Sequence, residues 1–139
     1  MSVQAILAPL FVLVALTFVL LFWMGGARFA AARRGEVRVQ DIALGQLNWP
    51  PRVQQISNCF HNQLQLPLLF YLLTVLALVL RKADLPFVVL AWIFVALRFV
   101  HAAIHVTSNR VIHRFQAFAA GAIILLLMWI VFAVRVLLP

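Results

Sequence analysis

Two stretches of this chain repeat hydrogen-bonding side chains at helical spacing. Within Gln54–Tyr71, the residues Gln54, Asn58, His61 or Asn62, and Gln65 recur every three to four positions and share one helix face. Arg98, His101 and His105 repeat the same step further on. Amides, imidazoles and a guanidinium arranged this way can bind an anion, hydrogen-bond neighbouring helices or contact a ligand. His101 and His105 are one turn apart, a spacing that metal ligands also use, and His61 or His113 could join them. No carboxylate accompanies them, so no metal is expected. Cys59 is the only cysteine, which rules out an intramolecular disulfide and suits a buried filler better than a nucleophile. No phosphate loop, dinucleotide fingerprint or serine-hydrolase elbow is present.

Charge bookkeeping makes Arg98 the decisive residue. The chain has three acids, Glu36, Asp41 and Asp84, and none falls in a hydrophobic run. Arg98 lies about two turns inside the end of one. A charge at that depth is costly unless it is paired. Its available partners are oxygens of Asn62 and Gln65, water, or an anion from outside; the alternative is a side chain that reaches to the interface or ties helices together. The amides Asn58, Asn62 and Gln65 have a similar second reading as interhelical hydrogen bonds.

The elements that hold these residues follow from hydropathy. Of 139 residues, 66% are hydrophobic and 10% charged, far more apolar surface than a soluble domain of this length hides. The reading is an all-α integral membrane protein, a bundle of four transmembrane helices in a single domain over residues 1–139. Helices are expected at about 3–24, 52–80, 85–106 and 113–135, with a polar loop at 25–51. Ala5–Met24 is an uncharged run of 20 residues, long enough to span, with no Lys or Arg before it to suggest a signal peptide. Gly35 stops any continuation of a helix beyond Arg34, and Pro50 and Pro51 close the loop. Pro67 predicts a kink in the second helix. Asp84 fits an N-cap, with Pro86 in the first turn.

Apart from Arg98, the basic residues behind the net charge of +8 sit between or beside the apolar runs. This suits anionic lipid headgroups and excludes nucleic acid as the expected partner. Arg28, Arg33, Arg34, Arg38 and Arg52 follow the first helix and Arg110 and Arg114 follow the third, against Arg81, Lys82 and Arg135 at the other end. The positive-inside rule therefore puts the loop 25–51 in the cytoplasm and both termini on the opposite side. A transport pathway is disfavoured because the polar groups gather toward one side.

Asn58, Asn62, Gln65, Pro67 and the pair Phe70–Tyr71, followed by Arg98, His101, His105, Asn109–Arg110 and His113–Arg114, resemble the pattern of the MAPEG family, the membrane-associated proteins in eicosanoid and glutathione metabolism. The resemblance covers nearly the whole chain and is closest to the short bacterial members, which implies a bacterial inner membrane. It implies a homotrimer in which glutathione, as cosubstrate, binds between protomers near the cytoplasmic side. An arginine stabilises its thiolate while a lipophilic small molecule or lipid enters from the bilayer. Family activities include glutathione transferase and peroxidase, and one member only binds and presents lipid. By position, Asn62 and Gln65 become ligand contacts, with Asn58, Arg98, His101 and His105 beside them. Either Arg110 or Arg114 takes the thiolate-stabilising place, and Arg28 and Arg52 meet glutathione carboxylates from the loop side. Two departures stand out: relatives usually have glutamate at the Gln65 position and often tyrosine at that of His105. The implied function is a glutathione-dependent transferase or peroxidase; the alternative is a non-catalytic lipid-binding or scaffold protein of the same fold.

Overall fold

The computed structural model describes residues 1–138. Five α-helices form in order: α1 (Val3–Arg33), α2 (Pro51–Asn62), α3 (Leu66–Val79), α4 (Leu85–Val106) and α5 (Val111–Leu137), with a short 3₁₀ turn at Val39–Asp41 between α1 and α2. Counting α2 and α3 as one span, four helices are long and apolar enough to cross a membrane.

Helix α1 does not end near residue 24 but runs nine residues further, to Arg33. Glycine inside a helix costs about 1 kcal/mol. Ending a helix at membrane depth would leave several backbone groups unpaired at several kcal/mol each, so Gly25 and Gly26 are carried along. The stop comes at Gly35, whose φ of +73° opens the left-handed region. Gly35 N donates to Ala32 O at 3.1 Å and Glu36 N to Ala31 O at 3.0 Å, which closes the last turn with two reverse bonds. Arg28 and Arg33 therefore sit on the helix end and not in a loop.

The second span is interrupted, not merely kinked. Between Asn62 and Leu66 the chain makes tight turns, with Leu64 N to His61 O at 3.0 Å and Gln65 N to Asn62 O at 3.3 Å. Pro67 lacks the N–H that would bond the Gln63 carbonyl, and its ring crowds that same carbonyl. Gln63 is wholly buried, and its Nε2 bonds Cys59 O at 3.2 Å. Helix α5 starts at Val111, two residues before the expected position. Asn109, at φ +51°, ends the preceding turn, a conformation asparagine tolerates better than most residues.

Packing fixes which ends meet. Phe70 of α3 stacks on Phe94 of α4 at 4.9 Å between ring centroids, inside a core that also holds Leu13, Leu73, Ala91, Leu125 and Met128. Cys59 is fully buried, its thiol 3.8 Å from Ala102 O. At one end of the bundle Arg52 donates to Val106 O, joining the start of α2 to the end of α4. At the other end Asp84 caps α4 by accepting from Phe87 N at 3.1 Å and pairs with Arg135 of α5 at 2.7 Å. The Arg135 bond holds the Asp84 carboxyl below the usual carboxylate range.

Candidate functional site

The polar stripe of α2 divides between two clefts. The broken turn ahead of Pro67 redirects the chain after Asn62, so Gln65 does not continue the face begun by Gln54 and Asn58. Gln54, Asn58 and His61 line a cleft of ≈ 650 Å³ with Arg28, Trp49 and Ser57. Asn62 and Gln65 line another, of ≈ 330 Å³, with His101, His105, Arg114 and Phe118.

In the second cleft, three elements converge. Helix α4 supplies His101 and His105, whose rings meet edge to face at 5.4 Å. The α2–α3 turn supplies the two amides. Helix α5 supplies Arg114, whose Nη1 donates to Asn109 Oδ1 at 2.6 Å. Phe118 packs 5.9 Å from His101, and Val111 and Phe115 extend the apolar wall. Behind this surface Arg98 is 1% exposed. Its Nη2 donates to Asn62 O at 3.2 Å and to Asn62 Oδ1. Asn62 Nδ2 in turn donates to Gln65 Oε1 at 3.0 Å. Of the two amides weighed as oxygen donors for Arg98, Asn62 supplies both oxygens and Gln65 supplies none. Arg98 Nε and Nη1, and Nδ1 of His101 and His105, are buried without a protein partner among the described residues.

In the first cleft Arg28 donates to Ser57 Oγ at 2.6 Å and lies 5.0 Å from the centre of the Trp49 ring. Gln54 Nε2 donates to Asn58 Oδ1 at 2.6 Å, and His61 Nδ1 lies 2.7 Å from Ser57 O. Arg28 and Asn58 thus sit apart from Asn62, Gln65 and Arg114. Arg52 lines neither cleft: it lies 5.5 Å from the Trp23 ring centre and bonds the end of α4. Arg110 is the exposed N-cap of α5 and also lines neither. Among the described residues no three His, Cys, Asp or Glu side chains come together as a metal site.

The parts that four residues play here escaped sequence reasoning. Trp49 and Ser57 complete the surroundings of Arg28. Gln55 Nε2 bonds His105 O at 2.8 Å and Thr107 O at 3.2 Å, closing the end of α4 beneath His105. Asn109 positions Arg114. Only Asn109 carried a signal, since asparagine before a new helix favours the left-handed turn.

The MAPEG family model fits residues 6–134 of 139, nearly the whole chain. The chain belongs to the MAPEG family. No curated protein and no solved structure matches it. As a MAPEG member with four membrane-length helices it is an integral membrane protein. The MAPEG family includes both glutathione-dependent transferases and peroxidases and non-catalytic members, so the activity has to be argued from the clefts themselves.

Proposed function

We propose that this MAPEG protein is a glutathione-dependent transferase or peroxidase acting on lipophilic electrophiles. The observation that carries the reading is Arg114, held by Asn109 at the wall of a cleft with Asn62, Gln65, His101 and His105 and with no carboxylate to neutralise it. A free thiol has a pKa of about 8.5 and is mostly protonated at neutral pH. A guanidinium beside it favours the thiolate, and lowering the thiol pKa from about 8.5 to about 7.5 takes about 1.4 kcal/mol of such interaction. Arg114 takes the thiolate-stabilising role in preference to Arg110. Asn62, Gln65, His101 and His105 contact the peptide, and Arg98 holds Asn62 from behind. Phe115, Phe118 and Val111 supply an apolar wall where an acceptor dissolved in the bilayer can approach, and proximity does the rest.

The active assembly is a homotrimer. Asn58 and His61 are exposed on the outer face of a helix within a membrane span, where lipid offers no hydrogen bonds. A neighbouring protomer covers them, and Arg28 and Asn58 then meet the ligand from the first cleft. The arginine-rich end faces the cytoplasm of a bacterial inner membrane, with both termini outside.

Isothermal titration of the detergent-solubilised protein with glutathione is the test. Saturable binding, lost in Arg114→Ala, together with turnover of a lipophilic electrophile, is the expected result. A second reading, a non-catalytic lipid binder, is favoured by glutamine and histidine at positions 65 and 105. It gains if glutathione fails to bind at millimolar concentration while a fatty acid binds.

A further inference from the structure

The end of the bundle opposite the amide cleft carries more positive charge than it neutralises. Arg81, Lys82 and Arg135 gather there around a single acid, Asp84, and line a cleft of ≈ 430 Å³ with it. Both Asp84 oxygens are in use: Oδ2 holds Arg135 at 2.7 Å and Oδ1 accepts from Phe87 N at 3.1 Å. Among the described residues neither Arg81 nor Lys82 has an acidic partner, and Arg135 keeps N–H groups beyond the one on Asp84. Arg81 also sits at φ +55°, a left-handed position that glycine fills without the penalty of a Cβ. Lys82 N donates to Ala77 O at 2.8 Å and fixes this turn. The chain thus places an arginine where the backbone favours glycine.

Lys82 and Arg135 also line a slot of ≈ 170 Å³ between α4 and α5, whose other walls are Pro86, Phe87, Leu90, Met128, Val131 and Phe132. Phe87, Met128 and Phe132 are buried, so the slot reaches into the seam between the two helices. From Arg135 to Met128 it follows α5 for about 10 Å, the depth of a partial acyl chain below the headgroup layer. A cationic cleft that shares two bases with an apolar slot fits an amphiphile charged at one end. We propose that this end of the bundle binds an anionic phospholipid. Its phosphate meets Lys82 and Arg135 with Arg81 beside them, one acyl chain enters the α4–α5 slot, and the other stays in the bilayer. Lys and Arg bind phosphate oxygens by charge-assisted hydrogen bonds and attract anionic lipid at a membrane surface. A fatty-acid carboxylate would occupy little of the ≈ 430 Å³ cleft, which favours the larger phosphodiester head. The site shares no residue with the two clefts at the other end and does not depend on the thiol reading.

Native mass spectrometry of the full protein, released from detergent containing dioleoylphosphatidylglycerol or dioleoylphosphatidylcholine, tests this. One phosphatidylglycerol per chain is expected to stay bound, about tenfold more tightly than phosphatidylcholine, as attraction to two unpaired bases implies. Lys82→Ala, at an exposed position, and Leu90→Phe, which fills the slot, are each expected to strip it. Arg110→Ala, at the opposite end, is expected to keep it. Lys82→Ala decides alone if Leu90→Phe does not fold. Equal retention of the two phospholipids overturns the inference. So does a lipid that survives Lys82→Ala or a folded Leu90→Phe, or one that Arg110→Ala removes. Tighter binding of oleate than of phosphatidylglycerol would assign the slot to a single-chain acid and overturn the phospholipid.

Discussion

Asn62 receives the Arg98 guanidinium on two oxygens, its backbone carbonyl and its side-chain Oδ1. The carbonyl can take the guanidinium because α2 ends at Asn62, which leaves it only a turn bond from Gln65 N at 3.3 Å, and α2 ends there because Pro67 cannot continue the ladder. A helix break and a buried charge therefore meet: the one supplies acceptors to Nη2 of the other, while Nε and Nη1 have no protein partner among the described residues.

Removing that charge tests the coupling. Arg98→Ala leaves Asn62 Oδ1 without its donor in a part-buried setting, a loss of about 1–3 kcal/mol. A lower unfolding temperature in detergent and weaker glutathione binding are the expected outcomes. Unchanged behaviour in both assays would show that Arg98 neither supports the fold nor orients Asn62.

Arg110 and Arg114 separate by position. Arg114→Ala is expected to lose thiolate absorbance of bound glutathione at neutral pH and to lower turnover by at least tenfold, whereas Arg110→Ala, exposed at the start of α5, is expected to keep both. The reverse pattern would assign the thiolate to Arg110.

Acid should loosen the far end of the bundle. The Arg135 bond lowers the Asp84 pKa, so its stabilisation is present above the unfolded value of about 3.9 and is lost as pH falls through the lower folded value. The pair is partly exposed, and screening limits its worth to ~1 kcal/mol or less. Asp84→Asn is expected to lower thermal stability slightly at neutral pH and to match the wild type once the pH has fallen below the lowered folded value. A difference that persists in acid would implicate the cap to Phe87 instead.

Gly35→Ala isolates backbone strain from packing. A Cβ at Gly35 meets nothing within 4 Å, but its φ is +73°. Destabilisation of about 1–2 kcal/mol is expected from the left-handed conformation alone. Its signature is faster proteolysis near Arg34 with the remaining spans intact.

Hydropathy over 20 residues is local, so the four membrane-length helices were legible in the sequence, as was the MAPEG pattern spread along them. Gly35 and Asp84 were legible as stop and cap for the same reason: each acts within one turn of itself. The length of α1 was not, because the end of the uncharged run at Met24 reads as the end of the helix, whereas backbone pairing carries it on to Arg33.

By itself the sequence determined the number of spans, their polar stripes and the absence of any acid within them. Tertiary structure decided that Asn62 satisfies Arg98 with both oxygens and Gln65 with neither, that Arg114 lines the amide cleft while Arg110 does not, and that Arg28 and Asn58 belong to a separate cleft. Periodicity sets angles about one helix axis. It carries no information on how a break re-aims the next axis or how far a long side chain reaches across to a neighbour, and those are the relations that build this site.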